Sequence, residues 1–328
     1  MHRNNRLDVA PMRGLLFSVL LLASGLALAE GMTAMDWIQK MSGAMQGLSY
    51  QGRFVYLQDN NLESMSITHI NDADGVRERL LSLNGEAREI LRDNNNLTCI
   101  WPSSRQVVVD RSSQSTRSPL WVPEDVERLS RHYRFSVIGK DRIADQSSII
   151  VSIMPKDKLR YGMKVWINDD NGLMLQSLVV DGDHQTLEQI MFTQMEKIDD
   201  ASTLSFSVLP RINDGYALIR SHNGVQASQM EADSRWQLKT LPQGFRIESS
   251  FRKKMPDSDT VIQQMVLSDG MASVSIFIEP TSEESLTGET SMGAINAYGA
   301  RQNEFTVTAI GEVPAITVRQ LAEAVVYN

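Results

Sequence analysis

The sequence predicts a β-rich α+β protein in two parts: a large antiparallel sheet carrying helices, then a smaller antiparallel-sheet-and-helix domain. Three observations predict it. Short runs with two-residue alternation recur along most of the chain, each closed by Asn, Asp and Gly. The runs follow one another too closely for crossover helices, so neighbouring strands should be antiparallel. Apolar residues at three- and four-residue steps are confined to three places, near 34–48, 126–133 and 314–325.

The first residues read as a secretory signal. Arg3, Arg6 and Arg13 flank an apolar run over 15–28, and Ala27-Leu28-Ala29 forms a small-residue cleavage site before Glu30. That run is shorter than the roughly 20 residues a membrane-spanning helix needs. Residues 1–29 are therefore expected to be removed. A lipoprotein would need Cys directly after the cleavage site, and Glu30 stands there, so the mature chain is expected free in an extracytoplasmic compartment. The only cysteine is Cys99, so no internal disulfide is expected. The formal charge of −8 argues against nucleic-acid binding, which rests on neutralising phosphates.

A helix should follow. Thr33 and Asp36 resemble a capping box, and Ala34, Trp37, Ile38, Met41, Met45 and Leu48 make one apolar stripe. Strands are predicted over 50–57, 63–70, 76–83, 87–91, 97–101 and 106–110, with Asn84-Gly85 a strong hairpin signal. Pro123, Glu124 and Asp125 suit the start of a short helix in which Val126, Leu129 and Tyr133 share a face. The meander resumes over 135–138, 148–154, 163–167, 173–180 and 185–198. Domain boundaries are expected at 30–205 and 233–328, with a linker over 206–232 where the periodicity weakens. The second domain should hold strands at 236–238, 245–251, 261–267, 272–278, 294–300 and 305–310, a polar loop over 279–291, and a last helix from Pro314. Val318, Leu321, Ala322 and Val325 form that helix's apolar face.

No chemistry of an enzyme is legible. The five histidines stand at no metal-ligand spacing, and no nucleophile elbow or phosphate loop occurs. The segments 72–75 and 169–172 faintly resemble calcium loops but lack the bidentate Glu at the required distance, so both read as hairpin turns. No cofactor and no metal are expected. Seventeen methionines as a population point to an adaptable apolar surface, although core filling is the better reading of any one of them. Basic residues cluster at Arg77, Arg79, Arg88 and Arg92, around Lys156, Lys158, Arg160 and Lys164, and at Arg252, Lys253 and Lys254. Such groups could hold phosphate or an acidic peptide, or simply discourage edge pairing.

Specific strings then resemble one family. W-I-Q-K-M-x-x-A at 37–44, Y-Q-G-R-F-V-Y at 50–56, E-S-M at 63–65 and E-R-L-x-x-L-N-G-x-x-R-E-I at 78–90 resemble the RseB/MucB family, periplasmic negative regulators of the sigma-E (AlgU-type) envelope-stress response. Y-R-F at 133–135, R-Y-G at 160–162, L-P-x-G-F at 241–245, S-D-G at 268–270 and G-E-V-P at 311–314 continue the match in order. It departs at Asn84, where Asp is expected, and near Asp145, where Gly is expected. The resemblance implies an open N-terminal half-barrel like that of LolA and LolB, with helices on its concave side. It also implies a C-terminal domain that grips the periplasmic segment of a transmembrane anti-sigma factor (RseA/MucA-like) and shields it from site-1 proteolysis. Lipid or lipopolysaccharide fragments in the half-barrel would favour release; self-association is left open. Phe54, Tyr56, Met65, Trp101, Met163 and Trp166 are the cleft residues expected, and Arg252, Lys253 and Lys254 the partner or phosphate contacts. The alternative from another class is a periplasmic lipoprotein or lipid carrier, which would not need the second domain.

Overall fold

Thr33 opens the first helix with the reciprocal pair the sequence suggests: its hydroxyl accepts from the Asp36 amide at 3.2 Å, and the Asp36 carboxylate accepts from the Thr33 amide at 2.8 Å. The computed structural model describes residues 1, 31–93, 96–111, 120, 125–201, 215–220, 230–254 and 260–328. Residues 32–328 belong to one compact body. The expected signal peptide, Met1 apart, lies outside the described residues, as do much of the expected linker, Pro123 and Glu124.

Helix α1 (Ala34–Gly47) is followed by β1 (Ser49–Gln58), β2 (Asn61–Asp72), β3 (Gly75–Ser82), β4 (Glu89–Asp93), β5 (Asn96–Trp101) and β6 (Gln106–Arg111). The short α2 (Val126–Leu129) is capped by the Asp125 side chain. Then come β7 (Tyr133–Ile143), β8 (Gln146–Pro155), β9 (Gly162–Asn168), β10 (Met174–Val180), β11 (Thr186–Ile198) and β12 (Ala217–Arg220). All twelve strands form one sheet in the order β12-β6-β5-β4-β3-β2-β1-β11-β10-β9-β8-β7. One strand departs from the antiparallel expectation. β12 lies in the stretch read as linker and pairs β6 in parallel, the long chain between them serving as the crossover that parallel neighbours require. At the β7–β8 turn Asp145 takes φ 61, so Asp supplies the left-handed conformation that Gly would supply more cheaply.

The sheet is open and curled. Its edge strands β12 and β7 do not pair with each other. Yet Gln146 on β8 donates to the Met195 carbonyl on β11 at 2.7 Å, three strands away. In a flat sheet those backbones would be about 14 Å apart. This is the half-barrel expected. Into its curl α1 sets Ala34, Ile38, Met41, Ala44 and Met45, which share a buried cluster with Phe54, Met65, Ile67, Val165, Ile167 and Phe192 of the sheet. Gly172 permits the close approach: at φ +82 it faces Lys40 and Ala44, and a Cβ there would stand 2.9 Å from the Lys40 Cγ.

A second sheet holds β13 (Met230–Glu231), β15 (Arg246–Lys254), β16 (Val261–Ser268), β17 (Ser273–Pro280), β18 (Gly288–Met292), β19 (Ile295–Gln302) and β20 (Phe305–Gly311), in the order β13-β15-β16-β17-β20-β19-β18. β14 (Trp236–Leu238) pairs with β21 (Val325–Tyr327), and α3 (Ala315–Ala324) sets Val318, Leu321 and Ala322 into a buried cluster shared with Met265, Leu267, Ile276 and Val307. Two expectations are corrected here. The polar stretch expected as a loop over 279–291 contains the edge strand β18, held by its ladder to β19; Glu289 to Met292 are exposed, so no alternation announced it. Val325, expected on the helix, instead opens β21 and stays buried there.

Candidate functional site at the junction of the sheets

Strand register fixes which expected cleft residues share a face. Phe54 opposes Met65, Ile67 opposes Leu80, Leu80 opposes Ile90 and Ile90 opposes Cys99, two residues before Trp101. Directly opposed residues point the same way. Phe54, Tyr56, Met65 and Trp101 therefore stand on the face that bears α1. Met163 also packs against that core. Trp166 does not join them. Three residues beyond Met163 on the same strand, it faces the reverse side and its indole donates to Asp141 at 3.0 Å. Phe54 is fully buried and Met65 nearly so, with the Phe54 and Phe192 rings 5.3 Å apart. Farther from α1 the same face carries a half-buried strip of Ile90, Leu97, Cys99, Trp101 and Val108. Its chemistry suits an acyl chain.

The three basic candidates are not brought to one patch. Arg252 donates through Nε to the Glu231 carbonyl at 2.9 Å, while Lys253, on the other face of β15, stands over the Phe277 ring. Lys254 is exposed.

The sequence did not single out one buried polar assembly. It lies where the β8–β9 hairpin meets the second sheet. Arg160 has a fully buried side chain, as has Asp269, and its Nε donates to Asp269 Oδ2 at 2.6 Å. The same guanidinium donates to the Asp157 carboxylate and to the Gln243 carbonyl, and it lies over the Phe245 ring at 4.9 Å. Tyr133 donates its hydroxyl to the same Asp269 oxygen at 2.9 Å. Burial, then the Asp269 charge and this hydrogen bond, push the Tyr133 phenol well above its ordinary pKa, so it stays a donor. For Arg160 burial acts to lower the pKa, but Asp269, Tyr133 and Asp157 outweigh it and the net movement is upward.

Neighbouring contacts make the hairpin a plug-in connection. Thr317 of α3 donates to the Leu159 carbonyl at 2.9 Å, and Asn296 of β19 donates to the Tyr161 hydroxyl at 2.9 Å. Glu188 of β11 accepts from Tyr56 at 3.0 Å, from Gln58 at 2.8 Å and from the Ala294 amide at 3.3 Å. Tyr56 is thus a junction residue as well as a half-buried one. His132 fills the space beside Gly244, whose φ of +91 and 2.5 Å clearance admit no side chain. Burial, then the Arg160 charge, lower the His132 pKa. The strings R-Y-G and S-D-G held the two central residues, but nothing local shows that residues 109 positions apart form a pair.

Among the described residues no group of three His, Cys, Asp or Glu could hold a metal, and no helix is long and apolar enough to cross a membrane. A curled open sheet with an apolar inner face, fastened to a second sheet through buried polar contacts, defines a binding-type scaffold of two sheet domains. Two family models match, the MucB/RseB N-terminal domain over 33–210 and the MucB/RseB C-terminal domain over 230–326. The chain belongs to the MucB/RseB family. Relatives include the sigma-E factor regulatory protein RseB of Haemophilus influenzae, 26% identical over 97% of this chain and 99% of that protein. The sigma factor AlgU regulatory protein MucB of Pseudomonas aeruginosa is 28% identical over 93% and 95%. A chain in the Pseudomonas aeruginosa MucA/MucB complex structure superposes with TM-score 0.68 at 25% identity, covering 90% of this chain and 99% of that one.

Proposed function

We propose that this chain is a periplasmic negative regulator of an envelope-stress sigma factor, acting by binding rather than catalysis. It would hold the periplasmic segment of a transmembrane anti-sigma factor, shield that segment from site-1 proteolysis, and let go when lipid or lipopolysaccharide enters the half-barrel. One observation carries the reading: likeness to the MucA/MucB complex extends across 90% of the chain, both sheets included. A carrier would not need the second sheet. In this reading 1–29 is the signal, 30–205 the ligand-responsive domain, 206–232 the linker and 233–328 the partner-gripping domain. The half-buried strip Ile90, Leu97, Cys99, Trp101 and Val108 supports an acyl-chain site. Arg252 and Lys254 are offered as partner contacts, with Lys253 held back on Phe277.

A cleavage assay tests the reading. The chain from Glu30 onward is mixed with a MucA-like periplasmic segment and a site-1 protease, with and without lipopolysaccharide. Protection that lipopolysaccharide removes is expected. Unprotected cleavage at saturating chain would overturn the regulatory reading; protection insensitive to lipopolysaccharide would leave the regulator and remove its ligand.

A further inference from the structure

Asp269 uses its two oxygens for different tasks. Oδ1 accepts from the Met271 and Ala272 amides, each at 2.8 Å, and so shapes the turn between β16 and β17. Oδ2 accepts from Arg160 and Tyr133 of the large sheet. The turn so shaped projects Met271 against the large sheet's own buried cluster, the one built from α1, α2 and the curled strands. Next to it, Gly270 faces Leu129 of α2: a Cβ built there would stand 3.6 Å from the Leu129 Cδ2, an ordinary contact distance. A piece of the small sheet thus completes the apolar core of the large one, and the same carboxylate that aims it also fastens the two sheets.

We propose that the turn 268–272 is an intramolecular plug, coupling what fills the large sheet's apolar face to the grip between the sheets. An apolar ligand that takes the place of Met271 pulls on a turn whose shape depends on Asp269 Oδ1. Moving Asp269 takes Oδ2 away from Arg160 and Tyr133. Coupling is reciprocal by linkage: closing the latch must weaken the ligand by the same factor by which the ligand weakens the latch. The ligand class is an acyl or similarly apolar chain, and this part of the proposal rests on the lipid-responsive reading given above.

The test uses the chain from Glu30 onward with Cys99→Ser, spin-labelled at Leu83→Cys and Met292→Cys, both exposed, the first directly after β3 of the large sheet and the second on β18 of the small one. The inter-label distance distribution is measured in this background and with Met271→Ala, Met271→Leu, Asp269→Asn or Tyr133→Phe added. The affinity for the apolar dye 1-N-phenylnaphthylamine is measured in parallel. Met271→Ala and Asp269→Asn should each broaden the distribution and bind dye at least threefold tighter, Met271→Leu should restore both, and dye should broaden the parent. Tyr133→Phe, which removes one hydrogen bond, gives a milder form of the same result should Asp269→Asn not fold. If Met271→Ala leaves the distribution as in the parent, the plug is not coupled to the grip and the proposal falls. If no variant binds dye, the acyl-ligand reading fails by itself, and the dye-free distances still decide the coupling.

Discussion

At Asp269 the carboxylate has no water to fall back on: it and the Arg160 guanidinium are both fully buried. Relative to well-packed apolar residues such a pair contributes little net stability, but removing one member strands the other, at a cost of about 3–5 kcal/mol. Arg160→Ala and Asp269→Ala should each lower the unfolding free energy by that amount in urea titrations. The combination Arg160→Met with Asp269→Leu should recover part of it, because no charge is then left alone while the Tyr133 hydroxyl and the Met271 and Ala272 amides still lose their acceptor. Equal losses in the single and combined variants would mean that shape, not charge, is what the site supplies. His132 sets a pH dependence nearby. Its lowered pKa means that the unfolded chain takes up the proton first as the pH falls below the ordinary 6.5. Stability should therefore be unaffected by this group above that value and decline on acidification through it. Thermal melts at pH 7.5 and 5.5 should show a larger drop for the parent than for His132→Gln; identical drops would remove His132 from the account.

Individual elements differ in how far they could be read from the sequence, and the reasons are physical. α1 was legible because its cap and its stripe are local: Thr33, Asp36, Ile38, Met41 and Met45 stand within a few turns of one another. Meander strands were legible because alternation reflects one buried face. β18 was not, since an exposed edge strand is held by backbone ladder bonds that leave no side-chain pattern. β12 was not, because parallel pairing joins distant segments. The candidate cleft was half legible: alternation puts Phe54 and Tyr56 on one face of β1, but only register brings Met65 beside them, and by the same alternation Met163 and Trp166, three residues apart, face opposite sides. The latch was illegible in principle, since a buried pair between domains has no local signature. For α1 the packing argument gives a number. Met41 is buried among the curled strands, so Met41→Ala should cost about 2–5 kcal/mol. Gly172→Ala should also destabilise, from its left-handed φ and its contact with Lys40. Denaturant midpoints would check both, and a Gly172→Ala protein as stable as the parent would contradict the close approach described.

Across the whole molecule the two sheets share more than a tether. Met271 and Gly270 of the small sheet lie against Leu129 and the large sheet's core, Arg160 lies over Phe245, and Thr317, Asn296 and Ala294 bond to the β8–β9 hairpin and Glu188. Domains joined only by a flexible linker unfold independently; domains that complete one another's cores should not. The full chain should therefore melt in a single calorimetric transition despite its two cores. A chain ending at residue 201 keeps α1, α2 and β1–β11 but loses the covering over Leu129, Tyr133 and Arg160. Solvent can then satisfy the Arg160 charge, so the electrostatic loss is small, whereas the bared apolar surface has no such remedy. That shortened chain should melt several degrees lower and bind a hydrophobic dye more tightly than the full chain does. Two separate transitions in the full chain, the upper or lower one unchanged on truncation, would show that the junction is a surface contact and not a shared core.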